Sequence, residues 1–370
     1  MPQGNTTSTL SKSNLAKVKT LFQEQLDSGL HPGASMAVYH RGKLVLDISG
    51  GISDVSTATP VNSDTLFVTF SCTKAISAFA WHILWERGQL ELGHFIREYW
   101  PEFGANGKEM INFRHILTHT AGFPKTPDSL NHTNVLDWAK VTKAMEQAEL
   151  LYKPGETIAY HSWNMGFVIG EIVKRIDGRA ISQFLQDEVF DPIGINDFHI
   201  GLPPEKEGRV ATVYGMEGFS NSHKLDFFNT SEAHQAVIPA SNGISTARDL
   251  ARFYGMLSMG GSLDGVDIMR PGAIKGAAVQ QVEGLDKAAD YPRWVKLGLG
   301  WAIDDLSMGA PLGEGRFDHS VGHGGLGSCI GWMDINHNLG VAILTNGVRD
   351  PESNAKRLGA LSNAVKACLD

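Results

Sequence analysis

The chain has 370 residues, 42% of them hydrophobic and 19% charged, the balance of a globular protein that buries a large core, which excludes a disordered or collagen-like chain. A net charge of −8 leaves no basic footprint, so neither nucleic acid nor an anionic membrane is expected as a partner. Cys72, Cys329 and Cys368 show no paired spacing, and the first ten residues lack a basic start and an apolar run, so reduced thiols and a cytoplasmic location are expected.

In chain order, Leu15, Val18, Phe22 and Leu26 recur at helical spacing until Gly29, which predicts a helix over residues 11–29. Apolar runs at 34–39 and 43–48, joined by His40-Arg41-Gly42, predict an antiparallel hairpin. The apolar stretch 66–70 leads into a helix over 75–87, with Ala75, Ile76, Phe79, Ala80, Ile83 and Leu84 on one face until Gly88. Residues 75–85 are too few to span a membrane. Helical patterns follow at 135–150, 164–176 and 181–189, punctuated by Gly and Pro and by long loops. Strands are predicted at 297–303, 328–335 and 339–345, and a last helix over 352–369. No period of 20 to 50 residues or low-complexity tract occurs. The Asn-x-Ser/Thr sequons at Asn5, Asn131 and Asn229 matter only in a secreted chain and are set aside.

Strands at both ends around a helical middle predict an α/β (α+β) fold. Its central antiparallel sheet is formed by both chain ends, flanked by helices, with an inserted, mostly helical region. The expected division is an α/β sandwich of residues 11–90 and 235–370 and a helical domain of residues 91–234.

Three segments carry chemistry. Ser71-Cys72-Thr73-Lys74 opens the helix after the apolar run, so Ser71 and Lys74 meet across its first turn. A serine becomes a nucleophile when a base takes its proton, and a lysine desolvated by apolar neighbours has its pKa lowered toward that task. The helix N-terminus favours negative charge developing there. Taken alone the pair also reads as a helix cap and a solvated lysine. Ser353-Asn354-Ala355-Lys356 matches the same pattern but lies on the polar face of the last helix and reads as surface.

The second segment is Tyr160-His161-Ser162, delivered by the turn Lys153-Pro154-Gly155-Glu156. A tyrosine beside a lysine ammonium has its phenolate favoured, which suits it to act as base for the serine and then as acid for the leaving group. The third runs from His319 to Ser328 through His323-Gly324-Gly325-Leu326-Gly327. Its glycines let backbone approach a ligand, and the N–H groups of Leu326 and Ser71 together suit a carbonyl oxygen. A glycine-rich turn or bulge is the plainer alternative.

Other patterns are rejected. Gly322-x-Gly324-x-x-Gly327 precedes a strand, not the helix that a dinucleotide site needs. The pairs His115/His119 and His319/His323 bring no obvious third ligand, so no metal or other cofactor is expected. No Gly-x-Ser-x-Gly elbow occurs.

With Ser71-x-x-Lys74, Tyr160-x-Ser162 and His323-Gly324-Gly325 in that order, the sequence resembles the penicillin-recognising serine hydrolases, and within them the class C β-lactamase-type carboxylesterases, or family VIII esterases. The resemblance extends from about residue 21 to 344 and includes residues 113–122, 160–178, 241–250 and 298–301. It implies an acyl-enzyme on Ser71, proton transfer shared by Lys74 and Tyr160, and an oxyanion held by the N–H groups of Ser71 and Leu326. His323, Gly324, Gly325 and Ser162 would contact substrate. His323 stands where lactamases usually carry a lysine that anchors a carboxylate, and Ser162 where they carry an asparagine. Both departures point to small neutral esters or amides as substrates. An amidase, peptidase, β-lactamase or acyltransferase on the same scaffold, or a sensor that acylates without turnover, are the alternatives, and a homo-oligomer is compatible with the sequence. Trp163, Phe219, Phe227, Phe228 and Trp294 are core residues or the lining of an acyl pocket.

Overall fold

The computed structural model describes residues 10–288, 293–303 and 320–369. Its centre is a nine-stranded antiparallel sheet built from both ends of the chain. The strands are β1 (Gly33–His40), β2 (Lys43–Asp54), β3 (Thr59–Pro60), β4 (Val282–Asp286), β5 (Arg293–Leu297), β6 (Ala302–Ile303), β7 (Ser320–Gly325), β8 (Cys329–Asp334) and β9 (Leu339–Thr345). Their spatial order is β4-β5-β6-β7-β8-β9-β1-β2-β3. The N-terminal hairpin therefore pairs directly with the C-terminal strand, Ala34 opposite Thr345 and His40 opposite Leu339. Arg41 and Gly42, at φ 51° and 73°, turn β1 into β2 with the left-handed pair that matches strand twist.

Side-chain alternation sorts the sheet's two faces. Met36 and Val38 of β1 with Val341 and Ile343 of β9 point to one side, where α1 (Lys12–Asp27) and α5 (Pro351–Lys366) cover them with Val18, Phe22, Leu358 and Leu361. Ala37 and Tyr39, with Ala342 and Leu344, face the other side, against α4 (Ala247–Ser258). That helix lies close because Gly255 meets Gly340: a Cβ on Gly340 would stand 2.2 Å from the Gly255 nitrogen. The second cluster continues through α2 (Cys72–Glu86) into α3 (Asn164–Asp177) and the other helices of the middle of the chain.

One expectation is corrected. Residues 297–303 are not one strand but a hairpin, β5 turning into β6 at residues 298–301. The turn takes Gly300 at φ 81°, where a Cβ would strike Ala78 of α2 at 2.3 Å. Helix α2 is buried on every side, Cys72 through Leu84 alike. It runs between the sheet and the helical middle, and its polar residues are bonded rather than solvated, Ser77 Oγ to Pro239 O (2.6 Å) and His82 Nε2 to Leu299 O (3.0 Å). The pattern over 181–189 is helical, though its second half is a wider helical turn, Gln186–Phe190. Among the described residues no helix is long and apolar enough to cross a membrane.

Candidate active site

Ser71 stands where the short strand Phe67–Phe70 turns into α2. The turn needs Phe70 at φ 45°, a left-handed conformation that costs a side-chain-bearing residue about 1–3 kcal/mol. It is held by the Thr73 hydroxyl donating to Phe70 O and by the buried Phe70 ring meeting Phe228 edge-on at 4.9 Å. Ser71 occupies the helix N-cap position without using its hydroxyl as a cap, so the capping alternative falls. Lys74 is fully buried, and its Nζ donates to Ser71 Oγ at 3.1 Å and to Ala240 O at 2.8 Å. No carboxylate pairs with it among the described residues, and burial pushes its pKa well below the usual lysine value. The second Ser-x-x-Lys shares none of this: Ser353 lies in the first turn of α5, its N–H capped by Asp350 at 2.9 Å, and Lys356 is exposed.

Tyr160 is partly buried and shares a hydrogen bond with the Ser71 side chain. Lys74 Nζ lies 4.8 Å from its ring centroid, the Arg293 guanidinium 5.7 Å and the His119 ring 4.7 Å. Burial raises the Tyr160 pKa and outweighs the bond from Ser71 and the nearby Arg293. The expected resting phenolate is thereby corrected: desolvation acts on both partners, so the neutral pair of amine and phenol is favoured.

Three residues that fix Tyr160 were not anticipated. Asp286 Oδ1 accepts from Tyr160 N at 3.0 Å, and Arg293, directly opposite on β5, pairs with the other carboxylate oxygen at 2.9 Å. An opposite-charge pair across a hairpin is a recognisable signal, although the hairpin had not been identified. His119, at φ 58°, accepts on Nδ1 from the His161 N–H at 3.0 Å. Burial, with the neighbouring His161 and Lys74, pushes its pKa far below the usual imidazole value. Its sequence partner His115 does something else, accepting from the Asn112 N–H at its helix start. His319 lies outside the described residues, and no group of three metal-ligating side chains occurs among those described.

In the third segment, β7 carries His323, Gly324 and Gly325 and turns through Leu326 and Gly327 into β8. A strand follows, not a helix, so the dinucleotide pattern is without its phosphate cradle. His323 Nδ1 donates to Gly324 O at 2.7 Å, which leaves buried Nε2 as an acceptor with no partner among the described residues. Burial and the charge of Lys74 hold its pKa down at about 3. A Cβ on Gly325 would stand 2.3 Å from Thr69 O, so only glycine lets the end of β7 lie against the strand that carries Ser71. Leu326 and Ser71 consequently line one cavity. The turn is gripped from behind: Gly327 O accepts from Arg349 N at 2.9 Å and from the buried guanidinium of Arg357 at 2.7 Å. The Cys72 thiol donates to His323 O and the Cys329 thiol to Thr69 O, each at 3.0 Å, and burial raises the Cys72 pKa. Cys72 is a packing residue.

The cavity measures about 610 Å³. Exposed Ser162, with Trp163, Phe228 and Leu130, contributes to its wall, and the rim comes from residues 126–133 and Lys224. Phe227 stands behind Phe228 at 5.2 Å. The other aromatic candidates do not belong to it: Phe219 packs at the edge of the core, and Trp294 is exposed and donates to Glu283 at 2.7 Å.

Similarity to known proteins agrees with this architecture. The chain is similar to the esterase/beta-lactamase LipL of Mycobacterium tuberculosis, 28% identical over 86% of this chain and 78% of the relative. Among solved structures it superposes on a family VIII carboxylesterase with a TM-score of 0.87 and 27% identity, covering 98% of this chain and 99% of the other. A penicillin-binding protein homologue from Caulobacter crescentus gives a TM-score of 0.84 and 28% identity over 98% and 99% of the two chains. The beta-lactamase family pattern matches residues 18–366, and with the nine-stranded sheet formed by both ends, the chain belongs to the beta-lactamase family of serine hydrolases.

Proposed function

We propose that the protein hydrolyses small carboxylic esters through an acyl-enzyme on Ser71. The observation that carries this reading is buried Lys74, with no carboxylate partner among the described residues, bonded to Ser71 Oγ at 3.1 Å. Its neutral amine takes the hydroxyl proton as Ser71 Oγ bonds to the ester carbonyl carbon. The N–H groups of Ser71 and Leu326 receive the negative oxygen. As the C–O bond to the alcohol breaks, Tyr160 gives its proton to the leaving oxygen and regains one from Lys74. Water then attacks the acyl carbonyl, its proton passes to the same pair, and Ser71 leaves with a proton restored. Asp286, Arg293 and His119 position Tyr160 for both halves of this cycle.

The choice of ester over lactam rests on His323. Held neutral by burial, it offers no cation to a substrate carboxylate. The likeness to a family VIII carboxylesterase supports the same choice. The test is a stopped-flow assay of p-nitrophenyl butyrate with the native protein and Ser71→Ala. A steady rate that disappears in Ser71→Ala is expected. A one-equivalent burst that stalls would replace hydrolysis by transfer to another acceptor, and equal rates in both proteins would remove Ser71 from the mechanism.

A further inference from the structure

When Tyr160 gives its proton to the leaving oxygen, it becomes a phenolate among groups that burial keeps uncharged. Three bases face its ring: Lys74 Nζ lies 4.8 Å from the centroid, and the rings of His119 and His323 stand at 4.7 Å and 6.3 Å. Burial is the largest cause that lowers the pKa of all three, His323 to about 3, so the neutral form of each is favoured. Lys74 carries a proton only after taking that of Ser71, and passes it on to Tyr160. Arg293 differs from these three. Its guanidinium carbon lies 5.7 Å from the same centroid, and a guanidinium paired with a carboxylate keeps its charge. Among the described residues it is the fixed cation that faces this ring.

The hairpin β4–β5 aims that charge. Asp286 and Arg293 stand directly opposite each other. Asp286 Oδ1 accepts from the N–H groups of Tyr160 and Ala288, each at 3.0 Å, and Oδ2 accepts from Arg293 Nε at 3.2 Å and Nη2 at 2.9 Å. The anion thus meets the backbone of Tyr160 while the cation faces its ring, and of the two Arg293 has the larger effect on the phenol. A fixed charge acts strongly across a site from which water is excluded. The effect reaches the choice of substrate. A p-nitrophenolate leaves as an anion unaided, whereas an alkoxide needs a proton as its C–O bond breaks. In that step the electron pair of the bond goes to the alcohol oxygen, the Tyr160 proton joins it, and Lys74 restores the phenol. Building on the ester-hydrolase reading, we propose that Arg293 is a positioning residue that acts through Tyr160 by its charge, stabilising the phenolate formed as the proton reaches the leaving oxygen. The substrates this charge opens to the protein are esters of ordinary alkanols.

The test compares kcat/KM, which covers the steps through expulsion of the alcohol, for ethyl butyrate and p-nitrophenyl butyrate in the native protein, Arg293→Lys and Arg293→Gln. Lysine keeps the charge opposite Asp286, and glutamine keeps a donor for its carboxylate without the charge. The readout is the ratio between substrates within one protein, which a change in folded fraction does not alter. In Arg293→Gln, ethyl butyrate should fall about tenfold or more relative to p-nitrophenyl butyrate, and in Arg293→Lys the ratio should stay within about twofold of the native one. An unmoved ratio in Arg293→Gln, or an equal fall in both variants, overturns the charge role and leaves Arg293 a brace for Asp286. Ser71-dependent turnover of p-nitrophenyl butyrate without turnover of ethyl butyrate in the native protein overturns the alkanol class while the esterase reading stands. Absence of Ser71-dependent turnover of either ester overturns both together.

Discussion

Lys74 and Tyr160 each titrate against the habit of their residue type, and for one reason. In both, the loss of water outweighs any nearby opposite charge: burial lowers the lysine pKa and raises that of the tyrosine. Under the proposed mechanism the base must be unprotonated, so kcat/KM should rise with pH through the lowered Lys74 pKa and level off below the ordinary lysine range. Tyr160→Phe should keep that limb and lower kcat by about 10²–10⁴-fold, the usual contribution of a positioned acid or base. A pH–rate profile of both proteins checks this, and an acid limb placed at an unperturbed lysine pKa would contradict it. At this scale the meeting of Ser71, Lys74 and Tyr160 was legible from motif spacing. Their protonation states were not, because the expectation for Tyr160 counted the charge of Lys74 and left out the burial of both. Asp286, Arg293 and His119 were missed because they come from distant parts of the chain and meet only in the folded site.

Among the elements, the β7–β8 turn depends on α5. Arg357 donates to Gly327 O (2.7 Å), Gly347 O (2.6 Å) and Leu30 O (3.0 Å), gathering three backbone segments onto one buried guanidinium. Burial, without a carboxylate partner among the described residues, lowers its pKa to about 9. Arg357→Met fills similar volume but takes one donor from each carbonyl, leaving Arg349 N on Gly327 O, the Thr345 hydroxyl on Gly347 O and the Arg349 side chain on Leu30 O, and should cost about 1–3 kcal/mol in stability. Urea denaturation of the two proteins measures it, and a difference under about 0.5 kcal/mol would show that the remaining donors hold the three segments without Arg357. The hairpin β1–β2, β8, β9 and helices α1, α3 and α5 were legible because strand alternation, helical period and turn residues are local signals. The hairpin over 293–303 was not: the apolar residues 297–303 read as continuous when the close packing of Gly300 on Ala78 is out of sight. The burial of helix α2 on its second face was also not legible. What covers its polar positions Ser77 and His82 comes from Pro239 and Leu299, far along the chain.

Over the whole molecule, burial of histidine ties stability to pH. His31, His82 and His323 are held neutral, with pKa values lowered from 6.5 to about 3, and desolvation is the largest cause in each. The unfolded chain takes up protons at these positions below pH 6.5 while the folded chain does not until about pH 3. Stability is therefore full above pH 6.5 and falls as the pH drops through that window, by about 1.4 kcal/mol per pH unit for each histidine. Urea midpoints at pH 7 and pH 4.5 should differ accordingly, and equal midpoints would mean that these histidines are not held neutral. By itself, the sequence determined the strands and helices with regular periods, the sheet built from both ends, and the order of the three motifs, because each is written in short-range spacing or in chain order. The folded structure alone decided which groups lose water and which carbonyls the buried side chains of Lys74 and Arg357 meet. Desolvation and electrostatic interaction are sums over every element packed around a group, and no local window of the chain contains that sum.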